Sequence, residues 1–262
     1  MMAGNSACKL VFGGLSDPCF KDESICLVTA TNAVTCQNFG LLKDIVNIYP
    51  YADVAGERYT KPGVSYACER DRGIEGSAIL SVPMRDTHPG YPSVATLITQ
   101  YGIGNPIESN QYARNSVRYS VDSHHVKNLL RDTEDRRMEN FLSALKDLKE
   151  RLYSREFDRV QYVLIPAGVG RRGQVDEVWL TYYLPTIFTV SESLCARGKT
   201  VCIVMSENAF KCLDGKFAGN PRGANLLRPL KELELSHDIV GGRVGEDTCG
   251  GDRGPSNFVN TA

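Results

Sequence analysis

Residues 161–170 read Gln161-Tyr162-Val163-Leu164-Ile165-Pro166-Ala167-Gly168-Val169-Gly170. An apolar run that closes on proline and then alternates with glycine predicts a buried strand running out into a tight loop. Helical periods flank it. In 132–154, Met138, Phe141, Leu142, Leu145, Leu148 and Leu152 fall on one face, with Asp132 or Thr133 available as cap and acidic residues in the first turn. Residues 176–196 predict a second helix, with Pro185 inside it to kink or split it, and 199–205 (KTVCIVM) predict the next strand. Strand–helix–strand alternation of this kind requires right-handed crossovers between parallel strands and places helices on both sheet faces. The fold class is therefore α/β.

Towards the N-terminus, 9–13 (KLVFG) and 25–31 (ICLVTAT) predict two strands, the second apolar enough to be covered on both faces. A helix is expected over 38–48, capped by Asn38 and ended by Pro50. Residues 51–76 have no period and predict a long surface excursion. Strands are expected at 77–82 and 94–101, and 115–121 alternates as a strand or the edge of a loop would. After 206 the pattern fades. The expected division is a domain over 1–206, an extension over 207–240 and a glycine-rich disordered tail over 241–262.

Composition narrows the function classes. Thirty Lys and Arg against 31 Asp and Glu leave a net charge of −1, so nucleic acid is not indicated as a partner, although a local basic patch stays open. No run of about 18 apolar residues predicts a membrane span, and the N-terminus lacks the pattern of a signal peptide. Nine cysteines, several inside apolar runs and none in a CxxC pair, predict reduced, buried thiols in an intracellular protein, cytoplasmic or nuclear. No ligand spacing suggests a metal, and no cofactor is expected.

In open α/β sheets ligands bind beyond the carboxyl ends of the strands, and two such ends stand out. After Pro166, the glycines of Ala167-Gly168-Val169-Gly170-Arg171-Arg172-Gly173 let backbone N–H groups approach an anion and the arginines add charge. The same residues also suit a plain glycine turn with solvated arginines. At Thr29-Ala30-Thr31-Asn32-Ala33 an asparagine directly follows a buried strand. It can bond a sugar hydroxyl or simply cap the next turn. His124-His125 suit an exposed loop pair better than a metal site, Trp179 suits the core better than a base-stacking platform, and Cys36 has no neighbouring base.

Together these residues resemble the macrodomain family. Leu27-Val28-Thr29-Ala30-Thr31-Asn32-Ala33 is similar to the family's strand that ends in the asparagine meeting the distal ribose of ADP-ribose. Ile165-Pro166-Ala167-Gly168-Val169-Gly170 is similar to its second phosphate loop. Ile98-Thr99-Gln100, Asp135-Arg136-Arg137-Met138-Glu139-Asn140-Phe141 and the turn, helix and Tyr49-Pro50 that follow Asn32 resemble the branch holding terminal ADP-ribose protein hydrolases and ADP-ribose-phosphate phosphatase. The resemblance spans residues 9–205. It implies a three-layer α/β/α fold with a mixed central sheet and helices on both faces. It also implies ADP-ribose or an ADP-ribosylated protein as partner, with no membrane, held by Asn32, Gln37, Asn38, Gly40, Ala167, Gly168, Val169, Gly170 and Arg171.

The chain departs from that pattern in places. The first glycine-rich loop retains only Gly40, with Gln37 and Asn38 left to donate. Gly14-Leu15 stand where many members carry an adenine-binding acid. The middle strand ends in Gln100, which cannot form the branch's lysine adduct, and Arg171 and Arg172 stand where its catalytic acid would follow. Asp176 is the first acid after the loop. It is the candidate catalytic residue should the chain hydrolyse ADP-ribosyl esters or ADP-ribose phosphate, and otherwise a helix cap. Binding, hydrolysis and a non-catalytic interaction role with a decayed pocket all remain open at this point.

Overall fold

The computed structural model describes residues 8–15, 20–33, 41–53, 75–83, 90–119, 123–169 and 176–236. Its strands are β1 (Cys8–Phe12), β2 (Ile25–Asn32), β3 (Ala78–Ser81), β4 (Ser93–Gln100), β5 (Tyr162–Pro166), β6 (Thr200–Met205) and β7 (Glu234–Leu235). They form one sheet in the order β3-β4-β2-β5-β6-β1-β7. β3 runs antiparallel to β4, and the other pairings are parallel.

The helices are α1 (Leu41–Ile48), α2 (Gln111–Tyr119), α3 (Ser123–Arg131), α4 (Glu134–Leu152), α5 (Asp176–Val178), α6 (Leu184–Cys195), α7 (Glu207–Phe217) and α8 (Pro221–Lys231), with a π-helical segment, Trp179–Tyr183, joining α5 to α6. Alternate strand residues face opposite cores. Cys26, Val28, Val163, Ile165, Val201 and Ile203 pack with α4 and α6. Ile25, Leu27, Leu164, Cys202 and Val204 pack with Ile45 of α1 and with Tyr49. Both faces are thus covered, which explains why β2 and β4 are buried without alternation. The fold is a three-layer α/β/α sandwich with a mixed sheet.

One expectation is corrected. Residues 115–121 were read as a strand or loop edge, but 111–119 form α2. The alternation that suggested a strand is outweighed by the Asn110 cap, whose Oδ1 accepts from Ala113 N at 2.9 Å. Thr133 caps α4, its Oγ1 accepting from Arg136 N at 3.1 Å, which leaves Asp132 for another task. The chain after 206 forms two more helices and a strand: Leu213, Phe217, Leu227 and Leu230 join the core that holds α4 and α6, and β7 pairs with β1. Pro185 was expected to kink or split its helix; the helical run is continuous from Asp176 to Cys195, and Pro185 falls just after the π segment, whose wider turn accommodates a residue with no N–H to give. The excursion expected at 51–76 falls largely outside the described residues, as does the tail expected from 241.

Candidate functional site

The topology creates a crevice where β2 and β5 lie side by side. β2 leads towards α1 on one face of the sheet, and β5 leads towards α5 and α6 on the other. Connections leaving adjacent parallel strands in opposite directions open a cleft between their carboxyl ends. The two predicted loops therefore begin at this crevice.

On the β2 side the pairing register with β4 shifts between Thr31 and Asn32, so that Thr31 opposes Ile98 but Asn32 opposes Gln100. Such a bulge re-aims the strand's last side chain. Asn32 is buried, and Ala33 N continues the ladder to Gln100 O at 2.8 Å. Gln100 is also buried and turns its Nε2 to Gly102 O at 2.7 Å. Its amide serves the backbone.

On the β5 side, Ala167 N donates to Val204 O at 2.8 Å and Val169 N donates to Pro166 O at 3.0 Å, which closes a turn over residues 166–169. Gly168 occupies that turn at φ 86°, a left-handed conformation that a side chain would strain. Val169 packs its side chain into the core, leaving only its backbone to face a ligand. Gln37, Asn38, Gly40, Gly170 and Arg171 lie outside the described residues.

An open cavity of about 370 Å³ adjoins the β5 turn, lined by Ala167, Gly168, Asp176, Trp179, Met205 and Ser206 together with side chains of α7. The structure thus brings Asp176 to Ala167 and Gly168. Asn32, at the end of β2, is not among the lining residues. Asp176 Oδ2 accepts from Lys216 Nζ at 2.7 Å, and Glu177 pairs with Arg222 at 3.1 Å. These exposed pairs are worth little singly, but they fix the start of α5 against α7 and α8. Ser206 Oγ caps α7 by accepting from Ala209 N at 3.1 Å, so the positive end of that helix opens at the cavity rim. Trp179 is buried beneath the site and packs in the core. Beyond Met205, Phe12 and Phe210 meet edge to face at 5.7 Å.

A supporting feature that the sequence reading did not assign is a buried ion pair. Arg137 is fully buried and grips Asp132 with two parallel bonds, Nε to Oδ1 at 2.9 Å and Nη2 to Oδ2 at 2.7 Å. Its remaining donors reach Gly104 O and Asn105 O at 2.8 and 3.1 Å, and Asp132 also accepts from the N–H groups of Tyr101 and Gly102. The loop leaving β4 beside Asn32 is thereby tied to α4. The only sequence signal was an arginine one turn into a helix preceded by an acid. Among the described residues no group of His, Cys, Asp and Glu could hold a metal ion, and no helix is long and apolar enough to cross a membrane.

No family model and no curated protein matches the sequence. Solved structures with a similar fold include the macrodomain of Thermus aquaticus DarG, at 17% identity and TM-score 0.44, covering 76% of this chain and 97% of that one. They also include a macrodomain protein from Streptomyces coelicolor, at 17% identity and TM-score 0.40, covering 76% and 98%. A mutant Oceanobacillus iheyensis macrodomain with ADPR is similar at 15% identity and TM-score 0.40, covering 85% and 90%.

Proposed function

We propose that this chain binds ADP-ribose, or a closely related nucleoside diphosphate, in the crevice between the ends of β2 and β5. The observation that carries the reading is the placement of two strand ends: adjacent parallel β2 and β5 run out at Asn32 and at the Gly168 turn, and the helices that follow them cover opposite faces of the sheet. The Gly168 turn gives the diphosphate a close backbone approach, with Gly170 and Arg171 extending the contact. Asn32 takes the distal ribose, and Gln37, Asn38 and Gly40, which lie outside the described residues, complete the proposed ligand set. We assign Asp176 a positioning role, because Lys216 holds its carboxylate.

Calorimetric titration of ADP-ribose against the full chain tests the reading. Saturable binding is expected. Asn32→Ala should weaken it about tenfold, the loss of one good hydrogen bond, and Asp176→Ala should leave it within about threefold. Thermal melts of both variants separate lost binding from lost fold. Absence of heat with ADP-ribose, AMP and inorganic phosphate alike at about 1 mM, an affinity threshold of only about 4 kcal/mol, would overturn it. Turnover of an ADP-ribosylated peptide that vanishes in Asp176→Ala would move the assignment to hydrolysis.

A further inference from the structure

The near-zero net charge conceals an asymmetry. Between Glu108 and Asp132 the only acid is Asp122, while Arg114, Arg118, Lys127 and Arg131 all lie in that stretch. The structure folds it as two short helices, α2 and α3, packed on each other. Ala113 and Val117 of α2 and Leu129 of α3 turn inward against Leu42, Ile98 and Tyr101. That orientation sends the cations outward: Arg114 and Arg118 stand one turn apart on α2, Lys127 and Arg131 one turn apart on α3, and all four are exposed.

These cations are also unspent. Several cations on other helices are paired, Arg136 with Glu139, Arg151 with Asp147, Lys211 with Glu207 and Lys231 with Asp214. Among the described residues none of the four hairpin cations makes an ion pair. The nearby acids are engaged elsewhere or stand clear: Asp132 is consumed by Arg137, Glu108 accepts from Glu134 N at 3.3 Å, and Glu134 and Asp135 begin α4 without reaching Arg131.

We propose that the α2–α3 hairpin is a binding surface for the phosphodiester backbone of a nucleic-acid strand. Two rows of unpaired cations, three of the four being arginines able to fork onto phosphate oxygens, suit a chain of regularly spaced anions. A lipid surface fits less well. An interfacial helix needs an apolar face to enter the bilayer, and here Ala113, Val117 and Leu129 are committed to the core, leaving Leu130, 53% exposed, as the large apolar side chain the described hairpin presents to solvent. The surface is the outward face of the hairpin, opposite the side that packs near Ala33, and the inference does not depend on the nucleotide-binding proposal.

The test is fluorescence anisotropy of the full chain with a labelled single strand of about 20 nucleotides, as RNA and as DNA, in about 50 mM salt. Binding of either strand is expected, weakening about 50-fold on going to about 200 mM salt, as four single-strand phosphate contacts predict. The combined variant Arg114→Gln, Arg118→Gln, Lys127→Gln, Arg131→Gln should lose at least about tenfold in affinity with an unchanged thermal melt. The control Arg151→Gln, Arg159→Gln, Lys211→Gln, Lys231→Gln removes the same charge from paired sites and should lose less than about twofold. Equal losses in the two variants, or no binding by the natural chain, would overturn the proposal. So would binding to phosphatidylserine vesicles, but to neither strand, that the hairpin variant abolishes.

Discussion

A buried guanidinium is tolerable only while its counter-charge and hydrogen-bond acceptors are in place. Arg137→Ala would leave Asp132 buried with two backbone donors and no cation. We expect a loss of about 3–5 kcal/mol by urea denaturation, and Arg137→Lys should not rescue it, because an ammonium cannot reproduce the paired bonds to Asp132 and the two carbonyls. Asn32 and Gly168 were legible because their residue types carry their own geometric reasons: an amide at a strand end, and a glycine where φ is positive. Asp132 was not, since a cap and a buried ion-pair partner look alike in sequence. The thiols give a second prediction. Burial pushes Cys8, Cys26 and Cys202 up to about 12 from 9.0. In the unfolded chain they ionise near 9, so stability that is fully present below pH 9 falls as pH rises towards 12, by about 1.4 kcal/mol per pH unit for each thiol. Buried Lys199 opposes them. Its ammonium is pushed below its ordinary value, so the cost of burying its charge is relieved as pH rises towards 10.5. Three thiols outweigh one amine. The urea midpoint should drop from pH 9 to 10.5, and Cys26→Ala should make that drop shallower by one proton. Parallel pH curves for the two proteins would show that Cys26 plays no part.

At the scale of elements, long periodic segments were readable and short ones were not. α4 carries five turns of apolar spacing, so its sequence leaves little choice. α2 spans nine residues, Gln111–Tyr119, and among its described side chains the inward ones are Ala113 and Val117, which is too little apolar signal to separate a period of 3.6 from one of 2. Gly215, Gly219, Pro221, Gly223 and Pro229 lie in and between α7 and α8, and such residues usually mark loops. Position explains two of them. Pro221 follows the Asn220 cap at the start of α8, where its missing N–H is harmless. Gly223 permits close contact: a Cβ there would stand 2.8 Å from Phe217 Cδ1 and 3.0 Å from the Phe217 carbonyl oxygen. Gly223→Ala should therefore cost about 1–3 kcal/mol despite its better helix propensity, because one of the two helices must shift. Gly219→Ala meets nothing within 4 Å and is the control, expected to change the urea midpoint little. If the two variants behaved alike, the close packing of α7 on α8 would be wrong.

For the molecule as a whole, the question is where the folding unit ends. The sequence pattern suggested a domain complete at 206. In the structure, Leu213, Phe217, Leu227 and Leu230 share the core with α4 and α6. The sheet continues past β1 into β7 through the pairs Lys9 with Glu234 and Leu10 with Leu235, and Ser236 N reaches Leu10 O at 2.9 Å. Burying four such side chains is worth about 1.5–3 kcal/mol each. Their loss, about 6–12 kcal/mol together, is as large as the whole stability of an ordinary domain. Removing 207–236 also uncovers the outer edge of β1 and invites association. We therefore propose that the folding unit runs to 236. A chain ended after Ser236 should unfold in one cooperative transition at the full-length midpoint, whereas a chain ended after Ser206 should be insoluble or lack a transition. Differential scanning calorimetry of the two truncations decides. A cooperative, soluble chain of 206 residues would restore the shorter boundary and make α7 and α8 an appendage. It would also detach the cavity at Gly168 from the core, since α7 supplies one of its walls.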